Sequence, residues 1–212
     1  MATRMVWSIK NGKVIADFFE FEWNGGFAIS QKLKNVKELH DAIHKKTGEL
    51  ALEVSTKSSA KIGVKLSAFN LKVDDTYLEN VFQSSKKYLS GGPFLDLLDV
   101  SPHEAKTDIR HQTSGMFIGF EYKGEEWPTY PCSVFYDFIY LNAMVKTFGT
   151  DLDLKEYSWF SDIEFNYERS YNCQARSVAI YKLLQDIDGF EVLKNKESFI
   201  EFHKEHVVDC NW

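Results

Sequence analysis

The chain has 212 residues, 44% of them hydrophobic and 15% aromatic, and a formal net charge of −6. That is enough apolar side chain for a substantial core in one domain spanning 1–212. The acidic balance excludes affinity drawn from a broad basic surface and leaves room only for a local basic groove.

The longest apolar runs, such as FYDFIYLNAMV, are broken by Asp or Asn and fall far short of a membrane span, so no membrane partner is expected. The opening MATRMVWSIKNG lacks the basic and apolar pattern of a secretory leader. Cys132, Cys173 and Cys210 are far apart, which suits a reducing compartment and not a disulfide framework. A cytoplasmic protein is the expectation.

In chain order, VWSIKNGKVIADFFEFEW sets Asn11-Gly12 between two β-prone runs, the signal of a hairpin over about residues 5–23. SQKLKNVKELHDAIHKK places Leu33, Val36, Leu39 or His40, and Ile43 at helical spacing. LALEVSTKSS and IGVKLSAFNL read as extended segments. DTYLENVFQSSKKYL reads as a helix opening at Thr76, and SPHEAKTDIRHQ as one opening at Ser101 with Pro102 in its first turn. GMFIGFEYKGEEW is strand and turn, SVFYDFIYLNAMVKTF a buried helix ending before Gly149, and QARSVAIYKLLQDI another helix. A short strand and a helix around KESFIEFHKEH follow. The sum is a helix-rich α+β domain with a small sheet.

Several constellations could carry chemistry. In YLENVFQSSKKY the apolar face is Leu78, Val81, Phe82, Tyr88 and Leu89. Glu79, Gln83 and Lys86 follow i, i+4, i+7 spacing and fall within about a 60° arc at roughly 100° per residue. The alternative is an ordinary exposed stripe, with Thr76-x-x-Glu79 as a capping box. In SPHEAKTDIR, His103, Lys106 and Arg110 share a face that could meet a phosphate or diphosphate; a solvated face capped by Ser101 and Glu104 is the bland counterpart.

His40 with His44, and His203 with His206, lack further ligands at metal spacing, so no metal is expected. Cys173 reads as a buried hydrophobe sooner than a nucleophile. The stretch SDIEFNYERSYNCQAR, from Ser161 to Arg176, gathers Asp162, Glu164, Asn172, Gln174 and Arg176 around aromatics, either as a hydrogen-bonded turn or as one wall of a site.

With LSAFNL, ENVFQSSK and AKTDIR in this order, the chain resembles the NADAR (YbiA-like) family, which typically shows Leu-Ser-Asn-Phe, then Glu-His-x-x-Gln-x-x-Lys, then a basic helix. It departs by having Ala68 in place of the usual Asn and Asn80 in place of the usual His. The blocks ISQKLKNVKELH, EVSTKS, GGPFLDL, FYDFIY and SDIEFNYERSYNCQARS are similar to a narrower branch, the NADAR antitoxins paired with DarT, a DNA ADP-ribosyltransferase toxin.

The resemblance implies an α+β NADAR domain that hydrolyses ADP-ribose from the exocyclic amino group of guanine in DNA, with no cofactor and ADP-ribose as product. ADP-ribosylated DNA and the DarT toxin are the implied partners. An acidic protein with this task is expected to grip ADP-ribose and base more than the strand. Lys86 is the expected amine nucleophile, Lys57 the alternative, and Glu79 the general acid or base. Direct activation of water by Glu79 is the other route. Ser67, Phe69, Asn70, Gln83, Lys106, Arg110, Asp162, Glu164, Asn172, Gln174 and Arg176 are the implied substrate contacts. Two alternatives stay open: an N-glycosidase of ribosylamine intermediates in riboflavin synthesis, and a non-catalytic antitoxin that binds ADP-ribose or toxin.

Overall fold

The Asn11-Gly12 turn forms as its residue types dictate, both positions having positive φ of 53° and 70°, which suits the twist of a two-residue hairpin. It joins β1 (Ala2–Lys10) to β2 (Lys13–Phe21). The structure, a computed structural model, describes residues 1–208; Cys210 lies outside them. The hairpin continues into α1 (Ile29–Thr47), β3 (Leu50–Glu53), α2 (Lys61–Lys65), β4 (Lys72–Val73), β5 (Thr76–Tyr77), α3 (Leu78–Ser84) and β6 (Lys86–Tyr88). Then come α4 (Pro102–Thr107), α5 (Arg110–Thr113), β7 (Phe117–Tyr122), β8 (Glu125–Trp127), α6 (Val134–Phe148), β9 (Tyr157–Ser161), α7 (Gln174–Asp186) and α8 (Lys196–His206).

The fold is α+β, as expected. The main sheet has the order β2-β1-β9-β3, with β3 and β9 parallel and Glu53 level with Ser161. A second sheet has the order β6-β7-β8, and β4 pairs with β5. On one side α1 covers the main sheet with Val36, Leu39 and Ile43 against Phe19, Phe21 and Trp159. The larger core gathers α6 and α7, where Phe135, Ile139, Tyr140, Val178 and Tyr181 are fully buried. Inside it, Asp137 takes Arg176 at 2.9 Å, His203 at 3.0 Å and the Ser177 hydroxyl at 2.6 Å.

Five local expectations are corrected. Thr76 opens no helix and makes no capping box; it pairs in β5, and α3 begins at Leu78 without a side-chain cap. That helix stops at Ser84 because the Ser84 and Ser85 hydroxyls both donate to the Val81 carbonyl, at 3.1 and 2.7 Å, and compete with the helical ladder. Lys86 therefore opens a strand, and Leu89 is 65% exposed instead of joining the apolar face.

IGVKLSAFNL is not extended: Ile62 and Leu66 stand one helical turn apart in and just beyond α2, and turns fold residues 67–71 back. The helix from Ser101 keeps its capping box but ends at Thr107, where Asp108 accepts from the Arg110 backbone at 2.8 Å and turns the chain. The closing strand is a 3-10 turn over Phe190–Lys194, set off by the positive φ of Asp188.

Candidate active site

Three chain segments meet at a cleft of about 550 Å³, within the range of small-ligand sites. The 66–71 turn supplies Ala68 and Phe69; α3 with β6 supplies Glu79, Phe82, Gln83 and Lys86; the loop after β9 supplies Asp162, Glu164, Arg169 and Asn172. Lys106 enters from α4, Gln174 from the start of α7, and Tyr136 from α6. Of the fourteen side chains the sequence singled out, Phe69, Glu79, Gln83, Lys86, Lys106, Asp162, Glu164, Asn172 and Gln174 therefore share one space.

Lys86 has its ammonium 5.1 Å from the Phe82 ring centroid and makes no hydrogen bond or ion pair among the described residues. Burial, opposed by Glu79 and assisted by Lys106, brings its pKa down to about 8. The close approach of Gly92 fixes the strand here: a Cβ on Gly92, whose φ is 84°, would stand 2.2 Å from the Lys86 carbonyl oxygen. Glu79 is oriented by Gln83, whose amide nitrogen donates to it at 2.8 Å. That bond gives a spacing of four residues on α3 its use.

Asp162 is held from two directions. Gln174 donates to its Oδ2 at 2.9 Å, and the Glu164 backbone donates to Oδ1 at 3.1 Å. Gln174 in turn accepts from the Ala68 backbone at 2.8 Å, which ties the 66–71 turn to the carboxylate. Burial first, and then the charge of Glu53, push the Asp162 carboxyl up to about 7. Glu53 is itself pushed up by burial, although Ser55 and Ser161 donate to it at 2.6 Å and the Ile163 backbone at 2.9 Å.

Behind Ser161 stands His40 at 2.9 Å; because the serine proton goes to Glu53, His40 Nε2 is the donor. Burial brings His40 down to about 4, which keeps it neutral. Tyr136 senses both Glu79 and Asp162, and burial raises its phenol well above the ordinary value.

Five candidates lie elsewhere. Arg110 stands outside the cleft because α4 ends before it: it makes a bidentate pair with Asp96 at 2.7 and 3.1 Å, meets Asp108 at 2.8 Å and lies 4.5 Å over Phe94. Arg176 faces the core, paired with Asp137 and 5.4 Å over Trp7. Ser67 is fully buried, and Asn70 turns its amide to the Val64 carbonyl at 2.7 Å. Lys57 is outside the lining and donates to the Thr56 hydroxyl at 2.8 Å.

Glu53, His40, Ser161, Tyr136 and Arg169 were not singled out as site residues from sequence. The one available signal was Glu53, a carboxylate on an apolar strand with no neighbouring cation. Asn80, at the position where the resembled family has His, is buried and donates to the Leu97 and Val100 carbonyls at 2.7 and 2.8 Å. It tethers the segment before α4 and does not face the cleft. Among the described residues, no group of three or more His, Cys, Asp or Glu side chains could hold a metal, and burial pushes the Cys173 thiol up. No helix among them is long and apolar enough to cross a membrane.

The arrangement offers an amine with a substantial neutral fraction, an oriented carboxylate and a second carboxyl that holds its proton near neutrality. No curated protein matches the chain. The family model described as the DarT1-associated NADAR antitoxin matches residues 2–211, and the chain belongs to that family.

Proposed function

We propose that the cleft hydrolyses the N-glycosidic bond between ADP-ribose and the exocyclic amino group of guanine in DNA, so that the antitoxin reverses the lesion made by its DarT1 partner. The observation that carries this is Lys86, an unpaired amine at about 8 beside Glu79 in a cleft whose other carboxyl, Asp162, stands at about 7. At pH 7 about a tenth of such an amine is neutral, against roughly 0.03% at its ordinary value of 10.5. Family membership and the resemblance to DarT-paired NADAR proteins support the choice of substrate.

The steps balance without a further reactant. Asp162 gives its proton to the ribose ring oxygen as the C1–O bond opens, and the guanine nitrogen lone pair forms an iminium at C1. Neutral Lys86 adds to C1. Glu79 carries the proton from the lysine nitrogen to the guanine nitrogen, which leaves, and C1 remains as a Schiff base on Lys86. Glu79 then takes a proton from water as it attacks C1; the carbinolamine hydroxyl proton passes to the amine nitrogen as it collapses and frees Lys86; on ring closure the C4 hydroxyl returns its proton to Asp162 and Glu79 gives its proton to the C1 oxygen. Lys106 and Arg169 supply cations for the diphosphate; Phe69 and Asn172 face the base and sugar.

The test is mass analysis after incubation with two oligonucleotides, one ADP-ribosylated on guanine and one on thymine. Release from guanine alone is expected. Release from thymine alone, or from neither, overturns the proposal; the latter leaves a metabolite glycosidase or a binding protein.

A further inference from the structure

We propose that residues 57–72 form a basic edge that carries the phosphodiester backbone of a single DNA strand away from the cleft. This rests on the cleft's being a site for modified DNA; it adds the part of the substrate that the cleft does not hold, and it departs from the sequence expectation of little grip on the strand. The edge is legible in charge: between Glu53 and Asp74 the chain has four lysines, Lys57, Lys61, Lys65 and Lys72, and no carboxylate. The chain as a whole has 31 Asp and Glu among 212 residues, so an acid-free run of this length with four lysines is a locally basic stretch in an acidic chain.

The fold keeps the run together and turns it outward. Lys61 and Lys65, one turn apart on α2, are exposed, as is Lys72. None of the four makes an ion pair among the described residues, so their charge is not spent on carboxylates. Gly63 lets α2 press on the end of β3: a Cβ there would stand 2.1 Å from the Glu53 carbonyl oxygen and 2.3 Å from the Ser58 hydroxyl. Lys57 is thereby held beside α2.

At the other end of α2, Asn70 bonds the Val64 carbonyl at 2.7 Å and folds the turn back, which brings Phe69 to the cleft edge. Phe69 is 54% exposed, and Tyr77, with the Lys72 ammonium 4.9 Å from its ring centroid, is 41% exposed. Cations with aromatic faces between them are what a strand with unstacked bases binds. A guanine whose amino group enters a walled cleft must leave any duplex that holds it, which costs least where the strand is already single.

The test uses an unmodified single-stranded oligonucleotide in fluorescence anisotropy over a salt series, together with turnover of a guanine-ADP-ribosylated oligonucleotide and of the corresponding single modified nucleoside. For three or four phosphate contacts the log–log salt slope is about −2 to −3, or about thirtyfold weaker binding for a fourfold rise in salt. Lys61→Glu with Lys65→Glu is expected to reduce that slope by about 1.4, at about 0.7 per contact, and to raise KM for the oligonucleotide at least tenfold. Turnover of the nucleoside stays within twofold.

A flat salt response of the wild type, unchanged strand binding in the variant, or equal loss on the nucleoside overturns the proposal. So does loss of toxin binding in the variant with strand binding intact, which assigns the edge to a protein partner. Failure of the cleft's own assignment is distinguishable: the wild type then turns over neither substrate, whatever its salt slope.

Discussion

Gln174 donates its side-chain amide to Asp162 at 2.9 Å while accepting from the Ala68 backbone at 2.8 Å. One residue at the start of α7 thus holds a cleft carboxyl and the 66–71 turn together, and sequence reasoning that placed it on the substrate missed this tie. Gln174→Ala leaves a buried N–H and a buried carboxyl each short of a partner, at a cost of about 1–3 kcal/mol apiece. A lower melting temperature and a reduced kcat are expected together, measured by thermal denaturation and oligonucleotide turnover. An unchanged kcat would mean that Asp162 needs no positioning.

The pH dependence of turnover follows from two groups. Lys86 acts as the free amine, so the rate rises as pH passes about 8; Asp162 acts as the acid, so the rate falls as pH passes about 7. The product is a bell with its maximum near pH 7.5. Asp162→Asn is expected to remove the falling limb along with most of the rate. Glu53→Gln takes away the second carboxyl and lets Asp162 fall toward its ordinary range, which moves the optimum to lower pH. A bell in the Glu53→Gln variant that superposes on the wild type would show that Glu53 does not tune Asp162.

The same shift has a consequence for stability. A carboxyl raised from 3.8 to about 7 keeps its proton in the folded state while the unfolded chain releases it, so its contribution is fully present below about pH 4 and is lost as pH rises through 7. At about 1.4 kcal/mol per unit the loss runs to several kcal/mol, shared with the neighbouring Glu53 carboxyl. His40, held down to about 4, acts in the opposite sense and is destabilising as pH falls below 6.5. The informative quantity is therefore the difference between wild type and Asp162→Asn, which should grow in favour of the variant from pH 4 to pH 8 in chemical denaturation. A difference independent of pH would contradict the buried proton.

Lys106 and Arg110, paired by sequence spacing, are separated by structure. Lys106→Ala should raise KM for modified substrate several-fold, because its charge faces the cleft. Arg110→Ala should leave both kcat and KM within about twofold, its guanidinium being committed to Asp96 and Asp108. Exposed pairs of this kind, screened by solvent, add little to stability. Steady-state kinetics on the two variants decide the matter, and equal losses would return Arg110 to the site.

Much of this was legible in the chain because it depends on local chemistry. Asn11-Gly12, the Ser101 capping box with Pro102, the periodicity of α1, and the long unbroken runs of α6 and α7 each carry their own geometry. The line of Glu79, Gln83 and Lys86 does meet in one cleft, but for a partly different reason: Glu79 and Gln83 lie on α3, while the Ser84 and Ser85 hydroxyls end the helix and Lys86 arrives on a strand. Arg110 failed for the matching reason, a turn made by Asp108 that helical spacing cannot anticipate. Glu53 stood out only as a carboxylate on an apolar strand; its role comes from Ser161 and Asp162, more than a hundred residues away and brought beside it only by the parallel pairing of β3 with β9. Arg176, read as a ligand contact, was claimed by a buried partner, Asp137, whose place on α6 only packing reveals.

The most direct measurement is borohydride reduction of the protein during turnover of an oligonucleotide ADP-ribosylated on guanine, followed by peptide mapping by mass. The expected result is a stable ADP-ribosyl adduct on Lys86, absent from Lys86→Ala, which also releases no ADP-ribose. Undiminished release by Lys86→Ala, with no adduct on the wild-type protein, would contradict the account and leave Glu79 and water to perform the cleavage without the lysine.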